Sequence, residues 1–188
     1  MKKFSVLVAL FCMMIASTAF ARTVNEERAR IDEVHAQAMD RFYDKKPNLI
    51  SEAQSAYGYA TLSSSRVFFF GRGRGVAINN ETGEKVYLKQ NEIDILGLGL
   101  GLFGCIEYDL LLTFEDEDAW DRFMTGKTKS SFTTVAVASG NNKPSGSGSE
   151  KLTARGVKAY MLTKKGLEAS ISWGAIKIYA PKKLNGYR

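Results

Sequence analysis

Only one histidine, His35, occurs among the 188 residues. A metal site built on several histidines, or a Ser-His-Asp triad with histidines to choose from, is therefore not available. Cysteine is almost as scarce, with Cys12 and Cys105 alone. Prolines number three, which excludes a Pro-rich linker or a collagen-like chain. No Gly-Lys-Ser/Thr phosphate loop is present. What remains is an ordinary globular balance, 45% hydrophobic and 24% charged, enough to build a core in one domain. The formal net charge is +6, and the 17 glycines favour tight turns and closely packed strands.

The first residues read as a processing signal. Lys2 and Lys3 precede an apolar stretch over residues 4–16, shorter than the roughly 20 residues a membrane span needs. Ala19-Phe20-Ala21 follows as a cleavage motif. The expectation is a secretory signal peptide over residues 1–21, cut after Ala21, with a retained membrane anchor as the alternative. Phe11 beside Cys12 argues against lipoprotein processing. Removal of the leader takes Cys12 with it, so the exported chain keeps Cys105 and has no internal disulfide framework. The apolar neighbours of Cys105 suit a core thiol better than a nucleophile.

Residues 22–188 then form one domain. A helical segment spans 22–56, and a β-rich core spans 57–180 with a flexible Ser/Gly/Asn-rich loop at 139–150. Ile31, Val34, Ala38 and Phe42 recur at helical spacing over 25–45, with Asn25 as a candidate cap. A second helix starts at Pro47 and ends near Ser55. From Tyr57 the pattern changes to strands: 57–62, 66–78, 84–89, two within 92–114, and 131–139. A closing hairpin joins 157–163 to 166–179. One short helix over 115–125 interrupts the strands. The expected fold class is α+β, with a helix or helix pair before an antiparallel, Gly-rich sheet that is barrel- or sandwich-like.

Several patterns resemble chemistry. Gly97-Leu98-Gly99-Leu100-Gly101-Leu102 offers a bare glycine face, suited to close sheet packing or to a ligand groove. Residues 99–104 match G-x-G-x-x-G, but the following residues read as strand, where a dinucleotide site needs a helix. Glu115, Asp116, Glu117 and Asp118 suit a helix start better than a metal site. Trp120 and Phe123 read as anchors to the sheet. The most informative stretch is Gly71-Arg72-Gly73-Arg74-Gly75. In one extended strand Arg66, Phe68, Phe70, Arg72 and Arg74 share a face. Guanidinium groups on a rigid strand suit phosphate, and phenylalanines beside them suit a lipid interface; a solvated arginine face is the bland alternative. Export argues against nucleic acid.

Four blocks in this order resemble the SYLF-domain family of lipid-binding proteins. They are Ala56-Tyr57-Gly58-Tyr59-Ala60-Thr61-Leu62, Gly71-Arg72-Gly73-Arg74-Gly75-Val76, residues 96–104 with Tyr108-Asp109-Leu110-Leu111-Leu112, and Ala159-Tyr160 through Lys165-Gly166-Leu167 to Ile176. The resemblance implies a non-enzymatic lipid-binding module with a β-rich core. In small exported bacterial relatives the role is poorly defined.

The resulting expectation is a periplasmic or envelope-associated protein that contacts anionic phospholipid at the membrane surface. Arg66, Arg72 and Arg74 are the expected head-group contacts, joined by Lys45 and Lys46 from the helix end. Phe68 and Phe70 shape an apolar rim. No cofactor, metal or nucleic acid is expected. The alternative is a structural or protein-interaction domain of the envelope with a protein partner and no lipid. A hydrolase is the third class, and it would require two acids, or a serine with a base, converging in a pocket.

Overall fold

Thr23 opens the first helix with a reciprocal pair of hydrogen bonds. Its hydroxyl accepts from the Glu26 amide at 3.2 Å, and the Glu26 carboxylate accepts from the Thr23 amide at 2.9 Å. The helix cap is therefore Thr23 and not Asn25, because this box satisfies two amide donors at once. The computed structural model describes residues 22–67, 70–94, 105–125, 132–133, 152–154, 156–165 and 174–186. The leader, the Gly-Leu repeat at 97–102, the loop at 139–150 and residues 167–173 lie outside the described residues. Helix α1 spans Val24–Lys45 and α2 spans Pro47–Ser55, with Pro47 in its first turn.

The fold is α+β, with the helices followed by one antiparallel sheet. Among the described residues its strands are β1 (Gly58–Val67), β2 (Phe70–Asn79), β3 (Lys85–Asp94), β4 (Cys105–Phe114), β5 (Phe132–Thr133), β6 (Leu152–Ala154), β7 (Val157–Lys165) and β8 (Gly174–Tyr179). They lie in the order β5-β8-β3-β2-β1-β4-β7-β6, an open sheet that is not closed into a barrel. Helix α3 (Glu117–Met124) follows β4, and a single turn, α4 (Lys182–Asn185), follows β8.

Three strand expectations need correction. Residues 66–78 are not one strand. Arg66 ends β1 with Val67, the chain reverses, and β2 begins at Phe70, with Val67 opposite Phe70 and Arg66 opposite Gly71. Strand β1 also runs through Ser63, Ser64 and Ser65 where a break was expected. The expected pairing of 157–163 with 166–179 does not form among the described residues. Strand β7 lies between β4 and β6, and β8 lies between β3 and β5. The long β1–β2, β1–β4 and β2–β3 ladders occupy the centre and hold β7 and β8 apart.

The sheet has two covered faces. Alternation puts Thr61, Val76, Leu111, Tyr160 and Leu162 on the face that α1 and α2 cover. Phe42, Leu49 and Ala53 meet Leu111, Tyr160 and Leu162, while Ile31 meets Val76 and Leu184. The opposite face carries Ala60, Leu62, Leu88, Leu110, Leu112 and Phe114 beneath α3. Trp120 and Phe123 anchor that helix as expected, with ring centroids 5.4 and 4.8 Å from Phe114. Asp116 caps α3 by accepting from the Ala119 amide at 2.7 Å, so the acidic run begins as a helix start.

Candidate functional site

The reversal at 67–70 decides where the arginines go. Arg72 and Arg74 project to the α1 face, while Gly71, Gly73 and Gly75 occupy the other face of β2. Those glycines leave a gap that side chains from β1 and β3 bridge. A Cβ at Gly71 would sit 2.6 Å from the Glu92 carboxylate, and one at Gly73 would collide with the Ser64 hydroxyl. Across the gap, Arg66 donates to Glu92 at 3.1 Å, and Ser64 donates to the Gln90 amide oxygen at 3.0 Å. Gln90 donates to the Tyr108 hydroxyl at 2.6 Å, and Tyr108 donates to Glu92 at 2.7 Å.

All five side chains of this network are buried. Burial, and then the adjacent Glu92 carboxylate, push the Tyr108 phenol far above its ordinary range, so it stays a neutral donor. Arg66 therefore does not face a membrane surface. It is 7% exposed and its guanidinium is committed to Glu92 on the face away from Arg72 and Arg74. Ser64 donates to an amide oxygen, which is not a base, so the network has the geometry of a register lock.

On the α1 face, Arg72 and Arg74 border a concave basin of about 760 Å³. Its other cations come from far along the chain: Arg22 just before α1, Lys89 on β3 and Lys183 on α4. Glu27 is the single acid among the described residues lining it, and its carboxylate lies 2.7 Å from the Lys89 ammonium. The Lys89 hydrogen bond holds the Glu27 carboxyl below its ordinary range against the opposing effect of burial; the charges of Lys89, Arg74 and Lys183 add to the lowering. Burial and the nearby Arg30 lower the Arg74 pKa, with Glu27 opposing and Arg22 adding to the effect. A guanidinium remains charged throughout the physiological range regardless.

Three neighbours set the shape of this basin. Lys85 pairs with Asp32 at 2.6 Å, and Asp32 also accepts from the Tyr87 hydroxyl at 3.2 Å, pinning the first half of α1 to β3. Arg28 donates to the Leu184 carbonyl at 2.9 Å, tying α1 to α4. The Asn185 side chain accepts from the Tyr87 amide at 2.8 Å and donates to the Tyr87 carbonyl at 2.9 Å. One side-chain amide thus imitates a strand partner and holds α4, with Lys183, against β3.

Of the expected site residues, the basin gathers Arg72 and Arg74. Phe70 lies on their face at the β1–β2 reversal, 67% exposed, beside Val67 at 48%. Phe68 lies outside the described residues. Lys45 and Lys46 do not join the basin. They sit at the far end of α1, a helix of 22 residues and thus about 33 Å long, whose beginning supplies Arg22 and Glu27. Sequence reasoning missed Arg22, Glu27, Lys89 and Lys183, which come together only through packing. Among the described residues no helix is long and apolar enough to cross a membrane, and no cluster of three or more potential metal ligands occurs.

No protein-family model matches the chain. Among curated proteins it is similar to beta cell expansion factor A of Aeromonas veronii, 29% identical over 169 residues, a match that covers 87% of this chain. The chain spans 60% of the length of that relative.

Proposed function

We propose that this is an exported, non-enzymatic lipid-binding protein of the cell envelope that holds anionic head groups in the basin beside Arg72 and Arg74. The observation that carries the reading is the gathering of Arg22, Arg72, Arg74, Lys89 and Lys183 around one acid, on the face that also exposes the apolar side chains of Val67 and Phe70. Guanidinium groups grip phosphate oxygens in pairs, and apolar side chains on the same face suit the boundary between head groups and acyl chains. The motif order that resembles SYLF-domain proteins supports the same reading. Arg66 now belongs to the scaffold, and Lys45 and Lys46 fall outside the proposed contact.

The test is sedimentation of the protein with phosphatidylcholine vesicles, with and without an anionic phospholipid, at low and high salt. Binding should need the anionic lipid and weaken in high salt, because screening shortens from about 10 Å at 0.1 M to about 3 Å at 1 M. A basic residue near such a surface contributes about 1 kcal/mol, so Arg72→Gln with Arg74→Gln should lower affinity roughly 30-fold. Unchanged affinity and salt dependence in the double variant would remove the basin from the reading. No association with any vesicle would favour the envelope protein-interaction domain. The export component is checked separately, by N-terminal sequencing of protein recovered outside the cytoplasm. A start at Arg22 is expected.

A further inference from the structure

We infer that the protein meets an anionic lipid surface end-on, through the end of the sheet that holds the β1–β2 reversal, with Val67 and Phe70 below the head groups and Arg72 and Lys177 at their phosphates. This rests on the lipid-binding reading and adds to it the orientation of docking and a contact, Lys177, beyond the residues that line the basin.

Antiparallel register turns this end of the sheet into successive rows. Val67 is opposite Phe70 across the reversal. The same row continues through Cys105 on β4, opposite Val67, Ile93 on β3, opposite Phe70, and Ala175 on β8, opposite Ile93. All five residues are apolar. Among the described residues four large hydrophobic side chains are exposed, and Val67 and Phe70 are the two that carry no hydroxyl group. Two residues back on the same face, Ser65, Arg72, Asn91 and Lys177 form a second row, and all four are exposed. Glu107 is the β4 member of that row, and Lys165 on β7 is its register partner. Two residues further back come Arg74, Lys89 and Tyr179.

Helix α1 leaves the outer rows bare. Asp109, Ser63, Arg74 and Lys89 share one row, and α1 meets it at both ends, with Arg41 on Asp109 and Glu27 on Lys89. The helix therefore lies across the strands, behind Arg72 and Phe70. Rows on one face are two residues apart, about 7 Å. An interfacial element buries its apolar part roughly 5–10 Å into the boundary between head groups and acyl chains. With Phe70 at that depth, Arg72 and Lys177 reach the phosphates, and Arg74 with Lys89 the outer head groups. Charge selects the occupant. A purely apolar partner would desolvate Arg72 and Lys177 without offering them anions.

The experiment places tryptophan at two positions and adds vesicles of phosphatidylcholine and phosphatidylglycerol whose acyl chains carry bromine near the head group. Wild-type protein is the blank for the chain's own two tryptophans. Phe70→Trp should shift to the blue and be quenched. Tyr43→Trp is the contrast and should show neither change. Tyr43 is 64% exposed and lies about three turns beyond Asp32 on the same side of α1, and Asp32 pairs with Lys85, opposite Ile78 near the other end of β2. Phe70→Ser should lower vesicle affinity roughly tenfold, and Lys177→Gln about fivefold. Circular dichroism of each variant confirms that it folds. Salt-sensitive binding with Phe70→Trp unmoved, or with both tryptophans quenched, overturns end-on docking and leaves the lipid reading standing. Undiminished binding by Phe70→Ser or by Lys177→Gln does the same. No association with any vesicle overturns both.

Discussion

Arginine has two distinct uses within nine residues of this chain. Arg66 lies under the sheet with its guanidinium against Glu92, each side chain less than a tenth exposed. Arg72 lies on the opposite face and is exposed at the basin. Removing one partner of a buried ion pair leaves the other charged and desolvated, which typically costs 3–5 kcal/mol, whereas a surface substitution usually stays within about 0.5 kcal/mol. Arg66→Met should therefore lower the unfolding free energy by about 3 kcal/mol, and Arg72→Gln should leave it almost unchanged. Urea denaturation measures both. A similar loss in the two variants would mean that the Arg66–Glu92 pair is not the lock it resembles. The glycines belong to the same argument, because Gly71 and Gly73 admit the bonds that β1 and β3 make over β2.

At the scale of elements, legibility follows how local the signal is. Helices α1, α2 and α3 are readable because periodicity, a Pro at a first turn and acids at a helix start are local in sequence. The β1–β2 reversal is hidden because Arg66-Val67-Phe68-Phe69-Phe70 holds no Gly, Pro, Asn or Asp to mark a turn, and its bulk reads as continuous strand. That one missed turn put Arg66 on the wrong face. The turn between β2 and β3 was legible, since Asn79 accepts from the Glu81 and Thr82 amides and Gly83 adopts φ +70°. Docking of α1 was only partly legible. Its buried stripe contains Ile31, Ala38 and Phe42, and His35 lies between them against Thr61 and Tyr59.

That histidine gives the docking a pH dependence. Burial first, and then the positive charge of Lys85, lower the His35 pKa below its ordinary value, with Asp32 opposing. The unfolded chain therefore binds the proton before the folded one does. The stability tied to neutral His35 is complete above about pH 6.5 and is lost as pH falls through the lowered folded value. Unfolding free energies measured from pH 7.5 to pH 5 should decline, and His35→Gln should flatten that decline. Equal slopes would assign the acid sensitivity to other groups.

At the scale of the whole molecule, the basin is a product of chain closure. Arg22 and Glu27 come from one end of the described chain, Lys183 from the other, and Arg72, Arg74 and Lys89 from the middle of the sheet. Leu184 holds this junction. It is 1% exposed, packs with Ile31 and Val76, and its carbonyl accepts from Arg28. Stability and anion binding should therefore separate at adjacent positions. Leu184→Ala removes a buried side chain, which typically costs 2–5 kcal/mol, and it loosens the turn that presents Lys183, so both stability and affinity for anionic vesicles should fall. Lys183→Gln touches no core contact and should weaken vesicle binding by about 1 kcal/mol with the denaturation midpoint unchanged. Denaturation and sedimentation on the same two variants decide the matter. If Leu184→Ala loses stability yet binds anionic vesicles as tightly as the wild-type protein, the basin does not depend on the closure of α4 against α1. The anion site would then have to be rebuilt around Arg72 and Arg74 alone.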